Sequence, residues 1–109
     1  MSMNYVYILY SPKNNSFYKG QTNDIDDRLN RHNSGFEKAT CSGKPWILLW
    51  YTSKINRSEA ILLERKLKNL SVKKTLEFIL KYREGIPSPD ELDLVIKLSG
   101  LSVSLRSPI

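Results

Sequence analysis

Three stretches of the chain have a pattern of hydrophobic residues that predicts a β-strand. Residues 5–11 (YVYILYS) carry aromatic and β-branched side chains on both faces, which indicates a central, covered strand. Residues 17–21 (FYKGQ) follow a turn at 12–15, so these two strands should form an antiparallel hairpin. The dense apolar run at 46–53 predicts a third strand buried on both faces. Its direction is left open by the sequence.

A first amphipathic helix is predicted directly after the hairpin. Asn23 is suited to the N-cap position, and Gly35 can end the helix in the left-handed C′ conformation. Ile25 and Leu29 form its thin apolar stripe, because residues four apart lie on one helical face. The polar loop 35–44 that follows should lie on the surface.

Three further helices are expected in the second half of the chain. One runs from about residue 57 to 70 after Ser58 or Asn56, and a second covers 72–83 after Ser71. The inner face of the former should consist of Ala60, Ile61, Leu63, Leu67 and Leu70. Ser88 and Glu91 form a capping box for a last helix that stops before Gly100. The final stretch, 101–109, gives no clear periodicity.

Length and composition restrict the class of protein. A chain of 109 residues should form one domain with a modest core. It has no apolar run of membrane-spanning length and no signal-peptide pattern, so we expect a cytoplasmic protein without a membrane partner. One cysteine excludes an internal disulfide, and one His with one Cys excludes the common zinc sites.

Charge is distributed unevenly along the chain. Of the formal net charge of +6, the surplus lies in residues 1–85, which carry 15 Lys and Arg against 8 Asp and Glu. Such a balance favours a polyanion partner, most simply nucleic acid, through counterion release. A solvated basic surface that only confers solubility is the simpler alternative.

Several polar residues are candidates for chemistry. Arg28 and His32 lie four apart on the first helix, next to the strand residue Tyr18, and could hold an anion. Glu64 projects at the edge of the apolar stripe of its helix. A partly buried carboxylate must find a cation, a hydrogen-bond donor or a metal.

These residues, in this order, carry a resemblance to a known family. The segments are Tyr5-Val6-Tyr7, Tyr18-Lys19-Gly20, Arg28, His32 and Glu64, together with SGKPWILLWY and ERKLKNLSVKK. Over about residues 4–83 the chain resembles the GIY-YIG endonuclease superfamily, especially its small single-domain members. Five separated elements in the right order make the resemblance fairly specific.

The resemblance implies an α+β fold with a three-stranded antiparallel sheet flanked by helices. Residues 1–85 would form the nuclease domain, and 86–109 an extra C-terminal helix and tail. The implied activity is Mg²⁺- or Mn²⁺-dependent hydrolysis of a DNA phosphodiester bond, in a role such as DNA repair or recombination. DNA of branched or single-stranded form is the expected substrate.

The resemblance also implies roles for individual residues. Tyr7 and Tyr18 correspond to the tyrosines of the two motifs, Arg28 would face the scissile phosphate, and Glu64 would be the metal ligand. Tyr18 would act as base, with His32 replacing or assisting it. Gly20 would leave room for a phosphate. The DNA-contacting positions would be Lys44, Arg65, Lys68, Lys73 and Lys74.

Two positions depart from the family's motifs, and alternatives stay open. Tyr5 replaces the first motif's glycine, and Gln21 stands where several members have a lysine that could acidify the tyrosine. Gln21 favours a second hypothesis, a nucleic-acid-binding module that has lost turnover. A third is a domain whose basic face docks an acidic protein. Glu64 could simply pair with Lys68 at helical spacing, and Asn69 is a weak match to the family's late asparagine.

Overall fold

The computed structural model of the chain describes residues 3–100, which form a three-stranded antiparallel sheet with helices on both faces. The strands are β1 (Asn4–Ser11), β2 (Ser16–Thr22) and β3 (Ile47–Lys54), in the order β2-β1-β3. The helices are α1 (Ile25–Ser34), α2 (Arg57–Lys68), α3 (Val72–Lys81) and α4 (Pro89–Ser99). The predicted α+β class and the central position of β1 are thereby confirmed.

The register of the sheet places Tyr7 at its centre. Tyr7 lies opposite Gly20 on β2 and opposite Tyr51 on β3. Side chains alternate between the faces of a strand, so the odd-numbered residues of β1 share one face. An irregularity in the β1–β3 pairing falls after Ile8, beyond this point. The ring of Tyr7 therefore has a neighbour on each side within its own face.

Each face of β1 is covered by its own hydrophobic cluster. Val6, Ile8 and Tyr10 pack with buried residues of β3 and of the three later helices: Leu49, Trp50, Ala60, Leu67, Leu76, Ile79 and Val95. On the opposite face Tyr7, Leu9 and Trp46 pack with Tyr18, Leu48 and the α1 residues Ile25 and Leu29. Helix α1 thus covers the sheet face that carries Tyr7, while α2, α3 and α4 cover the other.

Two expectations about the first half of the chain are wrong. Strand β3 is not buried on both faces, because it is an edge strand and only Leu49 and Trp50 within it are buried. The N-cap of α1 is Asp24 and not Asn23, since the Asp24 side chain accepts a hydrogen bond from the Asp27 amide. The left-handed Gly35 cap is confirmed, with φ of 85°.

Helix ends in the second half differ in detail from the predictions. Asn56 caps α2, and α3 ends at Lys81 before a 3₁₀ turn at Arg83–Gly85. Ser88 precedes α4 as predicted, but its hydroxyl donates to the Glu91 carboxylate and does not cap the backbone. Ile61, expected on the inner face of α2, lies outside the core cluster, because that face is narrower than predicted.

The C-terminal part of the chain contributes to the main core. Val95 of α4 is fully buried among residues of the sheet and α3. The division at residue 85 stays a prediction, and the predicted tail, 101–109, lies outside the described residues. Within residues 3–100, none of the helices is both long and apolar enough to span a membrane.

Candidate functional site

A polar cleft of about 460 Å³ lies where β1, β2 and the first turn of α1 meet helix α2. Its lining consists of Asn4, Tyr7, Tyr18, Gly20, Gln21, Thr22, Asn23, Arg28, Arg57 and Glu64. Four of the five predicted catalytic residues, two tyrosines, Arg28 and Glu64, therefore face one cavity. They come from positions up to 57 residues apart in sequence, so their convergence is a property of the fold.

Gly20 makes room for Tyr7 in the floor of this cleft. A Cβ atom added to Gly20 would lie 2.7 Å from Tyr7 Oη and 3.1 Å from Tyr18 Cε2. Non-bonded carbon and oxygen atoms do not approach that closely, so only glycine fits between the two rings. The sequence predicted that Gly20 leaves space for a phosphate. The space directly beside Gly20 is instead occupied by the phenol of Tyr7.

His32 lies behind Tyr7 and does not line the cleft. It is 1% exposed; its Nε2 is 3.0 Å from Tyr7 Oη and its Nδ1 is 2.8 Å from Thr40 Oγ1. The Thr40 hydroxyl donates to the Glu37 carbonyl. We therefore assign the imidazole proton to Nδ1, donating to Thr40, which leaves Nε2 to accept from Tyr7. His32 is thus not a lining residue of the cleft, and its role as a base that replaces or assists Tyr18 stays a prediction.

Burial shifts the pKa values of both partners in this pair. The pKa of Tyr7 is raised to about 12, chiefly by burial; Tyr18 and Glu64 act in the same direction and Arg28 opposes them. Burial also lowers the pKa of His32 below its ordinary 6.5, with Arg28 and Arg31 acting in the same direction and Glu37 against it. At neutral pH Tyr7 is consequently a protonated donor and His32 a neutral acceptor.

Arg28 lines the cleft and carries one buried donor without a partner. Its Nε has no hydrogen-bond partner among the residues that the structure describes. A buried guanidinium donor without an acceptor is costly, typically by about 1–3 kcal/mol. Guanidinium groups suit phosphate oxygens in particular, so Arg28 is a candidate anion-binding residue of the cleft.

Glu64 faces the cleft with both oxygens engaged. Its Oε1 accepts from Gln21 Nε2 at 2.7 Å, and its Oε2 lies 3.0 Å from Lys68 Nζ. The predicted pairing with Lys68 is present, but the Gln21 bond, which links β2 to α2, was not foreseen. The carboxylate is 16% exposed and is held in a fixed orientation from two sides.

The residues present fit a divalent cation of the magnesium type. Within residues 3–100, no group of three or more His, Cys, Asp or Glu side chains could by itself hold a metal ion. Mg²⁺ commonly binds through one or two carboxylates, with phosphate oxygens and waters filling the octahedron. Each oxygen of Glu64 accepts one hydrogen bond and keeps a second lone pair. A Mg²⁺ or Mn²⁺ ion would be held there by Glu64 together with a bound phosphate.

Arg57 is a cleft residue that the sequence reasoning missed. It is the first residue of α2 and precedes Glu64 by seven positions, or two helical turns, so both project from one face. That spacing was the available signal. Together with Arg28 it gives the cleft two guanidinium groups against a single carboxylate.

The predicted DNA-contacting residues do not form one patch. Arg65 and Lys68 line a shallow cleft that shares Glu64 with the main one, and exposed Asn69 lies there too, away from the main cleft. Lys73 lines a separate groove between α3 and α4. Lys74 pairs with Glu77. Lys44 is exposed and lies near Gly35, at the end of α1.

Comparisons with known proteins agree with the geometry. Residues 3–92 match the family model described as the GIY-YIG catalytic domain. The chain is 34% identical over 80 residues to UPF0213 protein SH2523 of Staphylococcus haemolyticus, covering 72% of this chain and 96% of that one. It is 32% identical over 95 residues to UPF0213 protein YazA of Bacillus subtilis, covering 82% and 96%.

A solved structure is also similar in sequence. The solution NMR structure of UPF0213 protein BH0048 from Bacillus halodurans is 34% identical, with 82% of this chain and 90% of that one covered and a TM-score of 0.47. The domain match spans most of the chain, and the alignments to the two relatives cover nearly their whole length. The chain therefore belongs to the GIY-YIG family, and its catalytic domain is of the nuclease type.

Proposed function

We propose that the chain is a metal-dependent DNA endonuclease that hydrolyses a phosphodiester bond. The observation that supports this most is the single cleft that is lined by both the guanidinium of Arg28 and the carboxylate of Glu64. The two groups can bind different parts of one ligand. The guanidinium cation of Arg28 can bind phosphate oxygens, and the carboxylate of Glu64 can bind a metal ion. A phosphate with its divalent cation satisfies both.

The substrate phosphate is held by the two guanidinium groups. Arg28 and Arg57 donate to the non-bridging oxygens and stabilise the charge that develops on them. Glu64, whose orientation is fixed by Gln21, would hold Mg²⁺ or Mn²⁺. When bound, the cation supplies Lewis-acid stabilisation of the phosphoryl and leaving oxygens.

Tyr7 and His32 form the route by which the attacking water loses its proton. A free phenolate is disfavoured, because the pKa of Tyr7 is raised to about 12. Tyr7 Oη can instead accept a proton from water while it passes its own proton to His32 Nε2, 3.0 Å away. Tyr18, which lines the cleft beside Tyr7, orients the water. His32 thus acts through Tyr7 and not on the substrate.

The basic residues outside the cleft extend the binding surface unequally. Arg65 and Lys68 adjoin Glu64 and would contact the DNA backbone next to the scissile phosphate. Lys44, Lys73 and Lys74 lie elsewhere and would contribute only to long-range attraction.

The cytoplasm is the proposed compartment, since the sequence has one cysteine and cannot form an internal disulfide.

A comparison of Glu64→Gln with Glu77→Gln tests this function. Both remove one carboxylate from a lysine-paired glutamate, but Glu77 lies on α3, outside the cleft. Wild type and Glu77→Gln should nick branched or single-stranded DNA with Mg²⁺ or Mn²⁺, and chelator should stop them. Glu64→Gln should lose at least about 100-fold in rate, the scale for removing one charge-stabilising group. It should also lose Mn²⁺ binding, measured by electron paramagnetic resonance with DNA present.

Equal cleavage by all three proteins would refute the assignment. A parallel Tyr18→Phe variant tests the water-orienting role separately and should lower the rate without altering Mn²⁺ binding.

A second candidate is a nucleic-acid-binding module without turnover. It is favoured by the ion pair that Lys68 already makes with Glu64, because the ammonium group competes with a metal cation for the carboxylate. Salt-sensitive DNA binding without cleavage under either metal would establish it. In that case Lys68→Ala should increase Mn²⁺ binding, since it removes one competitor.

A further inference from the structure

A second pocket opens directly beside the catalytic cleft and differs from it in chemistry. It has a volume of about 510 Å³ and shares Asn23 with the cleft. Its walls are Tyr5, Asn23, Asp24, Ile25, Asp26, Leu48, Tyr51 and Pro87. Tyr5 and Tyr7 are two positions apart on β1, so their side chains leave the same face about 7 Å from each other. A ligand in one pocket can thus continue into the other.

Two tyrosines give this pocket an aromatic wall. The rings of Tyr5 and Tyr51 meet edge to face, with centroids 6.2 Å apart and planes at 62°. In such an arrangement the edge of one ring contacts the face of the other. The two rings therefore form a corner into which a flat group fits. Tyr51 is 38% exposed although it lies on a strand directly opposite Tyr7. Leu48 and Ile25 extend the apolar surface.

The charges of the pocket select against phosphate. Its described lining contains two carboxylates, Asp24 and Asp26, and no lysine or arginine. The N-terminus of α1 lies here, but Asp24 already accepts from the Asp27 amide, and three aspartates offset the helix dipole. Carboxylates accept hydrogen bonds only, so they suit the amino groups and ring N–H donors of nucleobases.

We propose that this pocket binds the base of an unpaired nucleotide adjacent to the scissile phosphate. The proposal rests on the proposed function, since it needs the phosphate in the neighbouring cleft. A paired base cannot enter, because reaching the pocket requires leaving the stack. The pocket therefore selects single-stranded or branched DNA over duplex, and the strand runs with its phosphate at Arg28 and its base against Tyr51.

Binding measured in chelator tests the base pocket without cleavage. The probes are a labelled single-stranded oligonucleotide of mixed sequence, the same strand with abasic sites throughout, and the matched duplex, followed by fluorescence anisotropy. Tyr51→Ala should weaken single-strand binding by roughly 5- to 100-fold, the scale of one base–aromatic stack. Tyr51→Phe keeps the ring and should stay within about twofold of wild type. Duplex binding should not change in either variant.

Two controls separate stacking from general loss of affinity. Phe36→Ala removes an aromatic side chain that is 78% exposed and lies outside the pocket, and it should have no effect. The slope of affinity against salt concentration should be the same for Tyr51→Ala and wild type, because no phosphate contact is lost. Tyr51→Thr, with a side chain suited to an edge strand, replaces the alanine variant if that one does not fold.

The outcomes distinguish failure of this inference from failure of the proposed function. If wild type binds the strand and Tyr51→Ala binds it equally, or wild type binds the abasic strand as tightly as the intact one, the base pocket is refuted and the endonuclease proposal is untouched. Equal losses on single strand and duplex also refute the pocket. If wild type binds no DNA at low salt and cleaves none with metal, both proposals fall.

Discussion

Replacing Thr40 by valine tests the hydrogen-bond chain behind the catalytic cleft. Valine keeps the shape of threonine but lacks the hydroxyl that faces His32 Nδ1 at 2.8 Å. The Thr40 carbonyl, which accepts from the Trp46 indole, is unaffected by the change. The substitution therefore removes the acceptor of a fully buried histidine. It also removes the hydroxyl's bond to the Glu37 carbonyl, which keeps the Thr40 amide as a donor.

The imidazole can respond in two ways, and both are costly. If the proton stays on Nδ1, a buried donor has no partner, which destabilises the fold by about 1–3 kcal/mol. If the proton moves to Nε2, that atom becomes a donor facing the Tyr7 hydroxyl, and the phenol loses its acceptor. In the second case Nε2 can no longer take the proton of Tyr7, so the route for the water's proton is impaired and we expect cleavage to fall by about 10- to 100-fold.

Nitrogen NMR can follow the tautomer without ambiguity, because the chain has one histidine. In an untagged sample, the ¹⁵N shifts of His32 should show a protonated Nδ1 in wild type and in the control Thr40→Ser, which retains the hydroxyl. Urea unfolding gives the change in stability, and nicking of DNA gives the rate. A wild-type spectrum with the proton on Nε2 would refute the assignment. Unchanged cleavage by a Thr40→Val protein whose tautomer has shifted would refute the proton route through Tyr7.

Three further changes have predictable results. Gly20→Ala places a Cβ 2.7 Å from Tyr7 Oη, so it should displace the phenol and destabilise the protein by about 1–3 kcal/mol. Urea unfolding measures this change, and an unaltered stability would contradict the close packing. Burial lowers the pKa of His32 below 6.5, so the unfolded chain binds the proton more readily. The stabilisation that comes from the neutral imidazole should then be fully present above pH 6.5. Below that pH the free energy of unfolding should fall by at most about 1.4 kcal/mol per pH unit. His32→Gln should remove this dependence between pH 6.5 and 5.5. Arg57→Ala should reduce the salt slope of DNA binding by about 1, whereas Lys73→Ala, in the groove between α3 and α4, should leave it almost unchanged.

Local periodicity predicted most of the fold because each element is specified within a short stretch. Aromatic and β-branched residues on both faces identified β1, alternation identified β2, and the apolar positions of α2 and α3 identified those helices. Ile25, Leu29 and His32 are spaced at i, i+4 and i+7, which is compatible with one helical face. The sequence analysis nevertheless groups His32 with Arg28 as an anion-binding pair, whereas the structure places the imidazole in the core.

Contacts between distant segments could not be read from the same patterns. Gln21 and Glu64 are 43 residues apart, and their hydrogen bond depends on how α2 lies against the edge of β2. Thr40 is in a loop that was expected on the surface, yet it is buried because Trp46 and His32 both bond to it. In each case the side chain gains its role from the packing of two elements and not from its own neighbours in sequence.

The two departures from the family's motifs have structural uses that bear on the chemistry. Gln21 is a neutral donor that fixes the orientation of Glu64. The carboxylate therefore keeps the charge that a divalent cation requires. A lysine reaching the same oxygen would form a second ion pair beside Lys68 and compete with the cation electrostatically. Tyr5, in place of a glycine, supplies one ring of the corner with Tyr51. The first substitution therefore favours metal binding and the second adds a surface for the substrate, so neither by itself argues for loss of turnover.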